Sequence, residues 1–479
     1  MDIPKEVKDI MQALEKAGHE TYAVGGCVRD LLRGIAPKDW DVATSAKPEE
    51  VQKLFPDSFY ENTFGTVGIK TSDADKTFSV VEVTTFRIEE SYSDKRHPDG
   101  VKFTKNIEED LARRDFTMNA IALASQETKK IIDPYGGQED IKLKLIRAVG
   151  DPERRFAEDA LRMMRAVRFA SELGFSIEPS TFEAIKKNSA WLKRISQERI
   201  RDELEKLIMA NGAPDGVRLL EGAGLLPYIM PELQEGVGVD QNLHHIYNVF
   251  EHNVRALAYA VRKKYDFVVR LASLLHDVGK PRSKRGEGRN STFYGHDVIG
   301  AHATEELLKR LRFPQKTIEK VALLVRYHLF YYNVGEVTES SVRRLLKNVG
   351  PENIEDLVRV READRIGSGV PKAVPYKLRH FQFMVEKVSK DPISTSMLAI
   401  DGNDVMRILE SGPGPKVGLV LNALLGEVLE DPKKNTVEYL TGRTKEFGSR
   451  AAEDLKKYLE MKEKKIQEEE EIMKKKYYV

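Results

Sequence analysis

One change of texture, at the turn Asp133-Pro134-Tyr135-Gly136-Gly137, constrains the fold more than any other feature of the chain. Ahead of it, strand-like runs rich in branched and aromatic residues alternate with helical patterns: 21–24, 40–43, 65–71, 78–86, 101–104 and 118–123. Residues 4–17 carry the pattern of an amphipathic helix, with Pro4 near its start and Gly18 past its end. Behind the turn, from about 152 to 380, nearly all periodicity is helical, and Gly174, Pro179, Pro214, Gly224 and Pro227 punctuate it. Residues 281–295 and 367–375 read as loops, and 411–418 interrupts a helical tail. From 453 onward the chain is rich in Lys and Glu, a solvated helix or a frayed tail. The expectation is an α+β head on a small mixed sheet with helices, followed by an all-α neck, body and tail.

Three groups of residues in this framework carry chemistry. Gly25 and Gly26 stand between a strand and a helix that starts near Val28. Glycines there let backbone N–H groups approach an anion, and Arg29 is within reach of a phosphate. Next comes Asp39-Trp40-Asp41. In a strand, residues i and i+2 share a face, so the two carboxylates repel unless a cation lies between them. Hard oxygen ligands at that spacing suit Mg²⁺ with nucleotide phosphates. A third acid, Glu82, lies inside the apolar run Ser79-Val80-Val81-Glu82-Val83, where a charge is costly unless paired or metal-bound.

The third group is histidine-rich. The chain has 10 histidines, and most fall between 244 and 328. His252, His276-Asp277, His296, His328 and the later Asp364 combine imidazoles with carboxylates, a donor set for a divalent metal. His302 is ambiguous, and His244 and His245 are expected outside the set.

Composition narrows the class. The 479 residues include 77 Lys+Arg and 76 Asp+Glu, a net charge of +1, which argues against binding polyanions through bulk charge and leaves a local patch open. A single cysteine, Cys27, excludes a disulfide scaffold and a Cys-rich zinc module, and suits a reducing cytoplasm. No apolar run approaches the roughly 20 residues of a membrane span. The first eighteen residues mix acids and bases without a signal-peptide core. A cytoplasmic chain with no membrane partner is expected.

Gly-Gly-x-Val-Arg-Asp (25–30), Asp-Trp-Asp (39–41) and the Val-Glu-Val strand (81–83) together resemble the polymerase-β-type nucleotidyltransferases. More narrowly they resemble the bacterial class II tRNA nucleotidyltransferases and their poly(A) polymerase relatives. The runs 108–120 (EEDLARRDFTMNA), 133–137 and 156–170 (FAEDALRMMRAVRFA) fit the same family, and the histidine pattern resembles an HD-type phosphohydrolase domain. The resemblance implies that Asp39 and Asp41 hold two Mg²⁺ ions, one activating an RNA 3′-hydroxyl and one gripping a nucleoside triphosphate, with Glu82 as third catalytic carboxylate. It implies triphosphate contacts from Gly25, Gly26 and Arg29, and ribose recognition by Arg114, Asp115 and Asn119. It assigns His252, His276, Asp277 and Asp364 to a first metal of the HD site, whose identity stays open, and His296 and His328 to a second.

For Asp159 and Arg162 the resemblance implies reading of the incoming base. Cytosine and adenine each place an amine beside a ring-nitrogen acceptor, matching a carboxylate beside a guanidinium, whereas guanine and uracil put a carbonyl where the amine should be. On spacing alone, residues i and i+3 on one helix face make an intrahelical salt bridge the simpler reading. Likewise, Arg113-Arg114-Asp115 alone reads as a surface ion pair.

The implied parts are a head (1–140), a base-recognition neck (141–235), an HD body (236–375) and a tRNA-binding tail (376–479). The implied activity is template-independent addition of CCA to tRNA from CTP and ATP, with an HD phosphohydrolase beside it. On its residues the polar stretch around Lys95, Arg96, His97 and Pro98 reads as a surface loop. The resemblance implies a loop that helps switch from C to A, shortened in C-only enzymes and full length here. That favours CCA over C-only addition and leaves A-adding and poly(A) activity open. The rivals are an A-adding enzyme or poly(A) polymerase of the same family, an HD phosphohydrolase with an inactive head, and a non-catalytic RNA-binding protein.

Overall fold

The computed structural model describes residues 3–62, 65–71, 79–89, 100–125, 130–241, 246–288, 291–330, 332–369 and 374–476. The loop centred on Lys95–Pro98, and His244 and His245, lie outside these residues. The chain divides into two compact units, Met1–Gln234 with Leu307–Phe313, and Glu235–Glu306 with Pro314–Val479.

The first unit is built on nine strands of its head. They are β1 (Thr21–Val24), β2 (Asp41–Thr44), β3 (Ser58–Asn62), β4 (Thr66–Lys70), β5 (Val80–Thr85), β6 (Arg87–Glu89), β7 (Val101–Phe103), β8 (Ala122–Ala124) and β9 (Ile131–Ile132). Seven form one mixed sheet in the order β3-β4-β5-β2-β1-β8-β9. Strands β2 and β5 run parallel, with Asp41 opposite Glu82, while β1 and β2 are antiparallel, with Val24 opposite Asp41. Strands β6 and β7 form a separate antiparallel pair. The sheet forms because its central strands are apolar: Val24, Val42, Ala43, Val81 and Val83 are buried.

Three expectations change here. The strand expected at 118–123 is a 3₁₀ turn, Thr117–Asn119, ahead of the short β8. The strand expected at 40–43 starts only at Asp41, so Asp39 precedes it. The helical run 156–170 is broken: helix Pro152–Glu158 ends at Asp159, whose extended backbone (φ −140°, ψ 105°) precedes a new helix, Leu161–Leu173.

Asp133 closes the head by accepting the N–H groups of Gly137 and Gln138 at 2.7 and 2.9 Å, so it caps the helix Gly137–Leu143. A Cβ on Gly137 would stand 2.2 Å from the Thr117 carbonyl, so this close approach requires glycine. Helix Leu161–Leu173 buries ten of its thirteen residues, including Arg162 and Arg168. Buried guanidinium groups must be paired, and Glu158 and Glu203 pair them.

The second unit is helical among the described residues. Five helices position its histidines and acids: Val249–Arg262, Phe267–Leu275, His296–Arg310, Gln315–Tyr327 and Ile354–Gly367. Its C-terminal helices, among them Pro415–Glu430 and Val437–Gly448, share a core around Val420, Leu424, Val428, Leu440 and Phe447. The Lys/Glu-rich end is one helix, Ala452–Lys476. Among the described residues no helix is long and apolar enough to cross a membrane.

Candidate functional sites

In the head, strand register brings Asp41 and Glu82 side by side on one face of the sheet. Gly25 follows β1 at φ +79°, and a Cβ there would be 3.0 Å from Arg114 Nη1 and 3.5 Å from Asp41 Oδ2. The glycine thus lets the turn close against the acid. Burial pushes the Asp41 carboxyl pKa up, Arg114 opposes this, and Asp39 adds to it. A cation at this edge would relieve that cost, and the oxygen donors are those a hard divalent ion takes, so the residues fit a metal.

Asp110, which the sequence reading passed over, organises the arginines. It is fully buried and accepts from Arg113 Nε at 2.9 Å and Arg114 Nη2 at 3.3 Å. The expected ion pair within Arg113-Arg114-Asp115 is therefore not the pairing observed: both arginines turn back to Asp110, and Asp115 pairs with Arg165. Arg29 donates to Asn119 Oδ1 at 3.0 Å, and Asn119 donates to Asp115 Oδ1 at 3.1 Å. Gly25, Gly26, Arg29, Arg114, Asp115 and Asn119 thus surround one edge of the sheet.

Beside them lies a cavity of about 430 Å³ whose walls include Arg114, Asp115, Asp159, Arg162, Arg165 and Arg199. Asp159 and Arg162 do not bond to each other's side chains. Asp159 holds Arg199, accepting at 3.2 Å on Oδ1 and 2.7 Å on Oδ2. Arg162 donates to Glu158 at 2.5 Å and to the carbonyls of Arg155 and Arg113, both at 3.0 Å. The intrahelical Asp159–Arg162 bridge fails because Asp159 sits in the helix break. Arg199 lies 40 positions from its partner, and no local pattern signals it.

In the second unit, His252 Nε2 lies 2.9 Å from His276 Nε2, 3.0 Å from Asp277 Oδ2 and 3.3 Å from Asp364 Oδ1. His296 Nε2 and His328 Nε2 face the other Asp277 oxygen, Oδ1, at 3.2 and 3.5 Å. Two buried sets result, His252/His276/Asp277/Asp364 and Asp277/His296/His328, each with its ligand atoms within 4.8 Å of one another. They share Asp277 as a bridge. Among the described residues these are the groupings of three or more such ligands at that range. His302 is exposed and pairs with Glu306, away from both.

Second partners orient the rings. Nδ1 of His276, His296 and His328 each faces the carbonyl three residues earlier, at 2.8, 2.6 and 2.7 Å. That fixes the tautomer and leaves Nε2 as the ligand atom. The buried Nε2 atoms of His296 and His328 make no hydrogen bond, so the donor set fits a divalent metal. Burial pushes the His328 pKa down to about 4, which keeps that ring in its neutral, coordinating form. Burial also lowers that of His276, but Asp277 and Asp364 outweigh it and push it up to about 10. Lys280 at 2.6 Å from Asp277 and Arg361 at 2.6 Å from Asp364 help hold both carboxyls well below their usual range against the cost of burial.

Sheet, glycine turn and carboxylates define a nucleotidyltransferase head joined to helical modules, one of them with a metal-ready HD site. Family models agree in order: the Poly A polymerase head domain matches 21–147, the probable RNA and SrmB-binding site of polymerase A matches 174–236, and the HD domain matches 249–367. The chain is 36% identical over 424 residues to an A-adding tRNA nucleotidyltransferase of Deinococcus radiodurans, covering 85% of this chain and 92% of the relative. It is 34% identical over 431 residues to a CCA-adding enzyme of Geobacillus sp. (strain WCH70), covering 90% and 93%. The structure of Bacillus stearothermophilus CCA-adding enzyme in complex with CTP superposes with a TM-score of 0.68 at 31% identity, over 92% of this chain and 96% of that one. The chain belongs to the bacterial class II tRNA nucleotidyltransferase and poly(A) polymerase family and carries an HD domain.

Proposed function

We propose that the protein adds C, C and A to the 3′ end of tRNA from CTP and ATP without a nucleic-acid template. The observation that carries this is one cavity holding a carboxylate and a guanidinium, Asp159 and Arg162, next to the Asp41/Glu82 edge. Asp159 accepts three hydrogen bonds and so keeps one of about four acceptor sites for an amine. That chemistry takes cytosine and adenine and refuses guanine and uracil. Asp39 and Asp41 would hold Mg²⁺, which supplies charge stabilisation and an activated hydroxyl in in-line phosphoryl transfer. Glu82 completes the acidic set, while Gly25, Gly26 and Arg29 receive the triphosphate and Arg114 and Asn119 face the ribose.

The parts are a head (1–140), a neck (141–235), an HD body (236–375) and a tRNA-binding tail (376–479). The body acts as a divalent-metal phosphohydrolase, with His252, His276, Asp277 and Asp364 on one metal and His296 and His328 on a second. The single, buried Cys27 suits the cytoplasm, where tRNA is processed.

The test offers tRNA ending before CCA, at CC, or complete, with Mg²⁺ and with CTP and ATP singly and together. CCA addition to the shortest tRNA supports the reading. Extension only of tRNA ending in CC, by a single A, assigns the specificity in the name of the Deinococcus relative. Long A tracts assign polyadenylation, and no extension leaves the body as the only active site.

A further inference from the structure

The two carboxylates of the body's candidate metal centre use their oxygens differently. Asp277 turns both towards imidazoles. Its Oδ2 lies 3.0 Å from His252 Nε2 and 3.4 Å from His276 Nε2, and its Oδ1 lies 3.2 Å from His296 Nε2 and 3.5 Å from His328 Nε2. Asp364 turns only one. Its Oδ1 lies 3.3 Å from His252 Nε2 and 3.5 Å from His276 Nε2, while its Oδ2 accepts from Arg361 Nη1 at 2.6 Å. Lys280 makes no such division, because it pairs with Asp277 on Oδ2, the oxygen that already faces His252 and His276.

Arg361 lies three residues ahead of Asp364 on helix Ile354–Gly367, so the two side chains share a face. An ion pair at that spacing is usually solvated, but here the side chains are only 11% and 10% exposed. The guanidinium also stands over the Tyr332 ring, 5.4 Å from its centroid. Tyr332 is buried, its ring is 5.6 Å from that of Phe330, and its hydroxyl accepts from Arg365 Nη1 at 3.1 Å. A planar guanidinium resting on a fixed ring has little freedom in which oxygen it takes. Its Nε is buried without a hydrogen bond, so the group is placed for the carboxylate at some cost to itself.

The consequence is a ligand count. His252, His276, Asp277 and Asp364 offer a divalent ion one atom each. A six-coordinate ion on that set keeps about two positions for water or substrate, and a catalytic ion needs such a position. Were both Asp364 oxygens free, a bidentate carboxylate could take one of them. We propose that Arg361 is a positioning residue of the body's metal site: by holding Asp364 Oδ2 it limits that carboxylate to one ligand oxygen and keeps a coordination position open for the phosphate of a substrate. Tyr332 acts through Arg361. This rests on the body being a divalent-metal phosphohydrolase.

The test uses the full chain in an Asp41→Ala background, so that the acidic edge of the head contributes nothing, with less than one equivalent of Mn²⁺. Solvent-proton relaxivity per bound Mn²⁺ reports the exchangeable waters on the ion, and chelator competition reports its affinity. Arg361→Met is expected to cut relaxivity by about half, the loss of one of about two waters, with Mn²⁺ affinity at least as high as before. Tyr332→Leu, which touches no candidate ligand, shifts relaxivity in the same direction and serves should Arg361→Met misfold. Saturating inorganic phosphate should lower the relaxivity of the unsubstituted site and change that of Arg361→Met less. Unchanged relaxivity in both variants overturns the proposal. So does an affinity loss of about 10- to 100-fold with the water retained, because Arg361 then only keeps Asp364 in place. A relaxivity that phosphate leaves unchanged in the unsubstituted site overturns it as well. If the unsubstituted body binds no Mn²⁺, the metal reading is overturned and this inference falls with it; binding with indifferent variants overturns this inference alone.

Discussion

Asp159 and Arg162 are each held by protein groups that leave them short of saturation. Removing either deletes a charge-assisted hydrogen bond of about 1.5–3 kcal/mol, so Asp159→Ala or Arg162→Ala should reduce discrimination against GTP and UTP by about 10- to 100-fold. A four-nucleotide incorporation assay reads this, and unchanged discrimination would sink base reading by the pair. Asp115 gives a pH signature. The cost of burying it is outweighed first by Arg165, and its pKa falls to about 2 from 3.8. A depressed pKa contributes stability that is present above about pH 4 and lost as pH falls towards 2. The shift corresponds to about 2 kcal/mol, so Asp115→Asn should be less stable than wild type by that order at pH 7. The gap should close between pH 4 and 2 in denaturant titrations, and a constant gap would contradict the pairing. At this scale the sequence showed the residue types but not their partners. Glu158 and Arg162 are near neighbours on the chain, whereas Asp115 meets Arg165 50 positions away and Asp159 meets Arg199 40 away.

Elements were legible where periodicity and punctuation were strong. The first helix, the strand before Gly25, the helical texture after 152 and the tail break near 411–418 all have counterparts in the structure. What was lost is what tertiary contact decides. Asp159 interrupts a continuous helical pattern because its carboxylate is drawn to Arg199, and two-residue strands such as β9 carry no period at all. Gly279 shows the same limit. It follows His276-Asp277 as an ordinary small residue, yet a Cβ there would stand 2.1 Å from the His296 carbonyl and 2.5 Å from Gly300 N. The glycine lets helix His296–Arg310 approach the His276-Asp277 corner and so delivers His296. Gly279→Ala should force that helix outward at a cost of about 1–3 kcal/mol. Metal analysis should then find the His296/His328 set depleted and the His252/His276/Asp277/Asp364 set retained. Full occupancy of both would show that the approach is not needed.

For the whole molecule, a net charge of +1 over 479 residues speaks to neither partner. If tRNA is bound through a local basic patch, its affinity should fall steeply with salt, with log K linear in log salt. Salt-independent binding would contradict the proposed partner. The two compact units allow a sharper test, because both buried metal-ligand sets lie in the second unit, whereas the Asp41/Glu82 edge proposed for Mg²⁺ lies in the first. A ligand that binds only folded protein stabilises it by RT ln(1 + [L]/Kd), about 2.7 kcal/mol at a hundredfold excess over Kd. A chelator should therefore lower the unfolding temperature of the second unit, and adding divalent metal should restore it. Asp277 bridges both sets, so Asp277→Ala should abolish the whole metal effect, whereas His328→Ala should remove only the part due to the second set. CTP with Mg²⁺ should raise the transition of the first unit in both variants. Calorimetry with limited proteolysis assigns each transition to its unit. Body metal stability that survives Asp277→Ala would place the ion elsewhere.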